Sequence, residues 1–184
     1  SDGRFMLGMG RSDEGVIQRR MGVPYRAPLA RLERAVGFVR RLLSGETVSD
    51  EEAALHDVGL ALKPVQARLP IYLAAIGPRA LRLAGRVADG VLLNAYTPAS
   101  YVRWAVQQVR EAAEEAGRDP DSIDVACMLV VRMTDDPEGL MPSLRERMAR
   151  LIAEPHVGEV LLERGGFDAS ILAPIRERIA EGDE

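Results

Sequence analysis

The residues best suited to chemistry in this 184-residue chain lie where an apolar run meets the start of a helix. The run "IYLAA", residues 71–75, is followed by Ile76, Gly77 and Pro78. Proline suits the first helical turn, where its missing N–H would have no partner, and the glycine before it can serve as N-cap. A helix N-terminus offers unpaired N–H donors and about half a positive charge, so this turn could bind a phosphate without a lysine. A short turn without a ligand is the alternative.

A second glycine junction, Asp89-Gly90, stands just before the next apolar run, "GVLLN". Asp89 is expected to accept hydrogen bonds from backbone N–H groups of a tight turn. Gly90 is expected to take a backbone conformation that is closed to larger residues. Because these two residues precede a strand rather than follow one, we predict a structural role for them.

Composition limits the kinds of partner and compartment. The chain is 47% hydrophobic and 28% charged, which is ordinary for one domain with a core. Its formal net charge is −4 without blocks of like charge, so nucleic-acid and anionic-membrane partners are not expected. The single Cys127 cannot form an internal disulfide, no apolar run approaches the roughly 20 residues of a membrane span, and no signal peptide opens the chain. These features favour a cytoplasmic location.

The hydrophobic pattern alternates between strands and helices. Four apolar runs are predicted as buried strands, over residues 4–10, 71–75, 90–94 and 123–133. Helices are predicted over residues 28–43, 78–87, 98–115, 135–155 with an interruption at Pro142, 158–164 and 168–180. Thr97 is predicted to be the N-cap of the third helix. The connection 45–69 is expected to hold at most one short strand, near Leu60.

This alternation indicates a parallel α/β sheet covered by helices. Two architectures satisfy it, a doubly wound sheet and a (β/α)8 barrel. Length alone favours the doubly wound sheet, since a complete barrel needs about 250 residues.

A family resemblance favours the barrel instead. The segments "LPIYLAAIGPRALRLAGRVADGVLLN" and "EEAGRDPDSIDVACMLVVRMTDDPE" resemble the luciferase-like flavin and deazaflavin oxidoreductases. The segments "GRFMLGMGRSDE" and "YRAPLARLERAVGFVRRLLSGETV" resemble the preceding βα unit of the same family. The resemblance implies a partial (β/α)8 TIM barrel whose four βα units correspond to strands four to seven, with residues 1–184 forming a single domain that is a fragment of the barrel.

The resemblance also implies a cofactor site at the ends of the strands. In these enzymes the cofactor phosphate lies at the turn formed here by Ala75, Ile76 and Gly77. Many relatives have two glycines in this turn, and here Ile76 stands at the first. Asn94 matches a position where the family commonly has a polar side chain near the phosphate.

The loop after the first strand, "GMGRSDEG", lacks the spacing of a dinucleotide-binding G-x-G-x-x-G motif. In the resembling enzymes this loop borders the flavin or deazaflavin ring, which makes Gly10 and Arg11 candidate cofactor-binding residues. Some members carry a carboxylate at the position of Asp13 that can act on a proton, so Asp13 is the candidate catalytic residue. A solvated, charged loop is the alternative for Arg11 and Asp13.

The implied function is an oxidoreductase that transfers a hydride between its cofactor and a small organic substrate. Coenzyme F420 is expected rather than FMN, because "AAIGPRALRLAGRVADGVLLN" followed by "GRDPDSIDV" resembles the deazaflavin-using branch more closely than the luciferases. All but one of the 24 basic residues are arginines, which agrees with the GC-rich bacteria in which that coenzyme is common. The anionic tail of F420 would favour a basic groove, to which Arg11 and Arg79 would contribute. An FMN-dependent luciferase-like monooxygenase and a non-catalytic cofactor-binding or structural relative remain alternatives. A homodimer is expected, and the fragment alone is expected to be inactive.

The other reactive residue types are predicted to be inert. His56 and His156 are interpreted as surface residues in connections, and no metal-ligand pattern includes them. Cys127 is interpreted as a small core residue. The same core-filling role is predicted for four methionines in the strands, at positions 6, 9, 128 and 133.

Overall fold

The chain folds into a four-stranded parallel sheet, a separate two-stranded hairpin and six α-helices, in a computed structural model that describes residues 3–62, 64–66 and 68–181. The strands are β1 (Leu7–Met9), β2 (Val48–Asp50), β3 (Leu55–Val58), β4 (Ile71–Ala74), β5 (Gly90–Leu93) and β6 (Asp124–Cys127). The helices are α1 (Pro28–Leu43), α2 (Pro78–Val87), α3 (Ala99–Glu115), α4 (Pro137–Ala153), α5 (Val157–Gly165) and α6 (Leu172–Glu181). A short π-helix spans Gly15–Arg20, and single 3₁₀ turns span Pro120–Ser122 and Ala169–Ile171.

The order of the strands decides between the two architectures. The large sheet runs β1-β4-β5-β6, so each strand pairs with the next one along the chain that belongs to this sheet. Right-handed crossovers in an unreversed order keep all the connecting helices on one face, whereas a doubly wound sheet reverses its order partway. Contacts of α1 with α2, and of α2 with α3, agree with a single helix layer. The predicted α/β class and partial-barrel winding are confirmed.

The core lies between the sheet and the helix layer. Ile71, Leu73 and Val91 point from the strands toward the helices and are fully buried. Helices α2 and α3 pack so closely that a Cβ on Gly85 would lie 2.3 Å from the carbonyl oxygen of Val109. A glycine at this position therefore allows the two helix backbones to approach each other closely.

Asp89 accepts hydrogen bonds at the amino-terminal ends of the strands, from a backbone N–H group and from two arginines. Its Oδ2 accepts hydrogen bonds of 2.9 Å from the backbone N–H of Ile71 and from the Arg40 guanidinium, and its Oδ1 accepts one from Arg68. Burial raises the pKa of this carboxyl, but the hydrogen bonds from Ile71, Arg40 and Arg68 outweigh burial and lower the pKa below its ordinary value. The predicted structural role of Asp89 is confirmed.

Gly90 is required for a different reason from the predicted one. The φ angle of Gly90 is not positive, so residues with a side chain could adopt the same backbone conformation. A Cβ at this position would lie 2.3 Å from Cε1 of the Tyr72 ring. The ring passes over Gly90, and its hydroxyl donates a 2.6 Å hydrogen bond to Oδ2 of Asp124 on the next strand. Gly90 therefore provides space rather than conformational freedom.

The last strand is shorter than predicted. β6 ends at Cys127, and the apolar residues that follow it are exposed, with Met133 98% and Leu129 83% accessible. Cys127 itself is exposed, so its predicted core role is wrong. The core-filling prediction is also wrong for Met6, Met128 and Met133, all exposed, whereas Met9 packs against the core. In the described part of the sheet β6 is an edge strand, and no neighbour covers this run.

Three further predictions about elements are wrong. The connection 45–69 contains an antiparallel hairpin of β2 and β3 and no strand at Leu60; residues 63 and 67 of this connection lie outside the described part. Helix α4 runs through Pro142 without interruption. Helix α3 starts at Ala99 with Pro98 as N-cap, and the Thr97 hydroxyl instead donates to the carbonyl of Asn94.

Candidate functional site

A cavity of 1220 Å³ opens at the carboxyl ends of β1, β4 and β5. Residues that follow parallel strands meet at this end of the sheet, which is the catalytic face of barrel enzymes. All seven candidate site residues line this one cavity: Gly10, Arg11, Asp13, Ala75, Ile76, Gly77 and Asn94. The structure therefore brings them together, although they come from three separate segments of the chain.

The turn between β4 and α2 presents free backbone donors to the cavity. Gly77 is the N-cap of α2, and its carbonyl accepts the N–H groups of Ala80 and Leu81. Within the described residues, the N–H groups of Ile76, Gly77 and Arg79 donate no turn, loop or cap hydrogen bond. A Cβ built on Gly77 would meet no atom within 4 Å, so an anion can approach the backbone there. Free donors beside a helix N-terminus and open space in front of them fit a phosphate group.

The side chain of Ile76 does not block access to the N–H donors of this turn. Its side chain is half-buried and packs against the hydrophobic core. Its carbonyl accepts a 2.7 Å hydrogen bond from the hydroxyl of Tyr101, a fully buried residue of α3. Burial raises the pKa of Tyr101 well above its ordinary value, so the hydroxyl stays protonated and remains a donor. The sequence shows Tyr101 only as an apolar position on a helix, with no signal of this contact.

Asn94 is held by its own loop. Its Oδ1 accepts the N–H of Ala95 at 2.9 Å, and its carbonyl accepts the hydroxyl of Thr97 at 3.1 Å. Its side-chain amide nitrogen makes no hydrogen bond within the described residues. The side chain is half-buried at the cavity wall, so its N–H₂ group is the donor left for a ligand.

The loop after β1 is stabilised by hydrogen bonds of its own residues. Oδ1 of Asp13 accepts the N–H of Val16 at 2.8 Å, which ties this carboxylate to the start of the π-helix. The Arg11 guanidinium donates to the hydroxyl of Tyr25 at 2.5 Å, and that hydroxyl donates to the carbonyl of Ser12 at 3.0 Å. Arg11 and Asp13 line the cavity while supporting the shape of their own loop. The proton-handling role of Asp13 stays a prediction.

The segment from α4 to α5 completes the cavity wall, which sequence reasoning missed. It contributes Arg150, Glu154 and His156, and the last of these has a φ of 66°. Both histidines are exposed, as predicted, but His156 faces the cavity and His56 lies in β3 rather than in a connection. No pattern in the sequence marked this segment, because it reaches the cavity only through the packing of α4 and α5 in the folded chain.

The charges on the cavity wall are mixed. Arginines 11, 19 and 150 line it together with the carboxylates of Asp13, Glu14 and Glu154. Arg79 lies in the first turn of α2, is exposed, and is not among the lining residues. The expected basic groove is therefore not found among the described lining residues, and of the two arginines predicted for it only Arg11 lines the cavity.

Among residues 3–62, 64–66 and 68–181, no group of three His, Cys, Asp or Glu side chains is arranged to hold a metal ion. In the same ranges, no helix has both the length and the apolar character needed to cross a membrane.

The fold and the site together define a class of protein. A sequentially ordered parallel sheet, one layer of crossover helices and a phosphate-type turn at the carboxyl ends of the strands are features of (β/α)8-barrel enzymes. A family model described as luciferase-like monooxygenase matches residues 1–182. The chain belongs to this family, which confirms the resemblance found in the sequence.

The chain is similar to two kinds of curated reductase. The chain is 33% identical over 183 residues to a 5,10-methylenetetrahydromethanopterin reductase of Methanolobus tindarius, covering 100% of the chain and 55% of the relative. It is 38% identical over 159 residues to a phthiodiolone/phenolphthiodiolone dimycocerosates ketoreductase of Mycobacterium bovis, covering 81% of the chain and 41% of the relative.

The chain is also similar to a solved structure. The coenzyme F420 dependent tetrahydromethanopterin reductase from Methanopyrus kandleri superposes with a TM-score of 0.79 at 27% identity, over 98% of the chain and 56% of that protein. The chain thus spans about half the length of the relatives that it matches.

Proposed function

We propose that this chain is the cofactor-binding portion of a coenzyme F420-dependent oxidoreductase that transfers a hydride between the deazaflavin and a small organic substrate. The observation that carries the proposal is the β4–α2 turn, which offers free N–H donors and open space to a cavity shared by all seven candidate residues. Two of the proteins to which the chain is similar, named above, support the reductase class. A location in the reducing cytoplasm is part of the proposal.

The chain's residues supply binding and orientation. The N–H groups of Ile76 and Gly77 would hold the phosphate, with support from Ala75 and the amide of Asn94, and the N-terminus of α2 would favour its negative charge. When bound, F420 supplies the hydride chemistry. No lysine is needed at the turn, because backbone donors and the helix dipole already provide the positive potential.

The loop after β1 would border the ring. Gly10 lies at the carboxyl end of β1, where a Cβ would be 3.4 Å from that of Ala74, so the backbone passes close to the neighbouring strand. Arg11 is held by Tyr25 and would contact the anionic part of the cofactor. Asp13 would take up or release the substrate proton through the carboxylate oxygen that does not accept the Val16 N–H.

We also propose that residues 1–184 form one domain that is a portion of a larger barrel and that works as part of a homodimer. The exposed apolar run after β6 and the edge strand β1 support the larger barrel, because soluble proteins avoid uncovered sheet edges. In a closed barrel both edges would be paired.

Titration of the protein that carries the complete barrel, with F420 and with FMN in parallel, tests the cofactor. We expect tighter binding of F420, followed by absorbance in the deazaflavin band, and hydride transfer from reduced F420. Both cofactors present a ribityl phosphate to the same turn, so the turn alone does not distinguish them. Tighter FMN binding, with transfer from reduced FMN and none from reduced F420, would reassign the protein to the FMN-dependent monooxygenases. Binding of neither would contradict the proposal.

A further inference from the structure

One buried side chain forms a hydrogen bond with the backbone of the β4–α2 turn. The hydroxyl of Tyr101 donates a 2.7 Å hydrogen bond to the carbonyl of Ile76. Tyr101 is fully buried and does not line the cavity, and its ring packs against Trp104 at a centroid distance of 5.6 Å. The hydroxyl is therefore held in place by its surroundings as well as by its bond.

The hydrogen bond determines where the next N–H points. In a trans peptide the carbonyl and the following N–H are antiparallel, and all the described peptide bonds of this chain are trans. The Ile76 carbonyl is directed toward Tyr101, so the N–H of Gly77 points away from Tyr101, and Gly77 lines the cavity whereas Tyr101 does not. A donor to the carbonyl also polarises the peptide, which strengthens the N–H on its other side.

Glycine alone would not hold this orientation. Gly77 has φ −79° and ψ 160°, and a residue without a side chain can rotate to other conformations at little cost. Among the described residues, no turn or cap hydrogen bond restrains the Gly77 N–H itself. The bond from Tyr101 is thus the restraint on this peptide plane.

We propose that Tyr101 is a positioning residue for the cofactor phosphate, which aims the Gly77 N–H at the anion by holding the Ile76 carbonyl. This inference rests on the proposed function, since it assumes that the turn binds the phosphate. It assigns a role in ligand binding to a residue of the hydrophobic core that does not line the cavity.

The test compares two ligands in the same protein. F420 carries the phosphate, and its deazariboflavin core without the phosphate and tail does not. The dissociation constants of both are measured for the wild type and for Tyr101→Phe in the complete protein. We expect the preference for F420 over the core to fall about three- to tenfold in Tyr101→Phe, the effect of losing one aligned hydrogen bond, with core binding unchanged. A partly unfolded variant weakens both ligands equally, so a purely structural role leaves the ratio unmoved.

Tyr72→Phe is the matched control. It also removes a tyrosine hydroxyl that donates one short hydrogen bond, to Asp124, but at the opposite end of the strands. We expect its ligand preference to equal that of the wild type. If Tyr101→Phe does not fold, Tyr101→Met removes the same hydroxyl with a side chain that fills irregular space.

The outcomes separate the two claims. A wild type that binds F420 and the core equally would refute the phosphate site at the turn, whereas a wild type that binds neither would refute the proposed function. A wild type that prefers F420, together with an unchanged preference in Tyr101→Phe, would overturn only the role of Tyr101.

Discussion

Replacing Asp89 by asparagine should destabilise the fold without touching the cavity. Asp89 lies at the amino-terminal ends of the strands, and the candidate site lies at the carboxyl ends. Asparagine keeps one oxygen that can accept the N–H of Ile71. It loses the negative charge that faces Arg40 and Arg68.

The size of the effect follows from the exposure of the partners. A hydrogen bond to a charged group contributes about 1.5–3 kcal/mol, and the Arg40 side chain is 32% exposed, which puts its bond near the lower end. The Arg68 side chain is 72% exposed, so solvent screening reduces the contribution of its ion pair with Asp89 to less than about 1 kcal/mol. We therefore expect Asp89→Asn to lower the free energy of unfolding by about 2 kcal/mol.

Urea denaturation of the chain, followed by circular dichroism, measures this loss. With an m-value of about 2 kcal/mol/M, the midpoint should fall by about 1 M. Asp121→Asn is the control, because Asp121 pairs with Arg110 at the surface with side chains 75% and 53% exposed. We expect a change below about 0.5 kcal/mol for this control.

The loss should also depend on pH. The folded-state pKa of Asp89 lies below its ordinary value of 3.8, so its contribution is complete above that value and is lost as pH falls through the lowered pKa. The difference between wild type and Asp89→Asn should therefore shrink in strong acid. An Asp89→Asn variant no less stable than Asp121→Asn, or a difference that grows with acidity, would refute the reasoning.

The remaining predictions concern the sheet. Gly90→Ala would place its Cβ 2.3 Å from the Tyr72 ring, so urea denaturation should show that the free energy of unfolding falls by about 1–3 kcal/mol. Gly37→Ala, at an exposed helix position, is the control, and equal stability of the two variants would contradict this prediction. The hydrogen bond to Asp124 raises the pKa of Tyr72 to about 12, so its stabilisation should be complete below the unfolded-state pKa of about 10 and lost as pH rises through 12. Ultraviolet absorbance titration checks this, and ionisation of all four tyrosines near pH 10 would be the opposing result. The isolated chain should self-associate through the run after β6, and Leu129→Lys with Val131→Lys should shift sedimentation toward monomer; a monomeric wild type would argue against an uncovered edge.

The sequence predicted the helix-facing part of the fold well, because burial repeats there with the period of each element. The buried face of α3 follows the helical spacing of Val109 and Ala113, and the runs 71–75 and 90–94 are apolar enough to lie inside a parallel sheet. Composition cannot show whether an apolar run has a neighbour to pair with. The run 128–133 is as apolar as a buried strand, yet it follows the edge strand and stays exposed.

The candidate site was predictable only in part. Gly77 lies three residues after β4 and Asn94 directly after β5, and the rule that residues following parallel strands share one edge of the sheet places them together. Tyr101 acts through a backbone carbonyl 25 residues away, and His156 reaches the cavity only through the packing of α4 and α5. Contacts of this kind depend on tertiary structure and leave no local pattern of residue types.

The binding of F420 by Gly77→Asp tests the central claim, that the β4–α2 turn holds the cofactor phosphate. The new carboxylate would stand in the open space before the free N–H groups, where it would satisfy them and repel the phosphate. We predict that F420 binding to the complete protein weakens by about an order of magnitude or more, measured by absorbance titration. Gly37→Asp is the matched control, because a Cβ at that exposed position of α1 also meets no atom within 4 Å, and it should bind F420 like the wild type. Equal affinity of Gly77→Asp and the wild type would contradict the account.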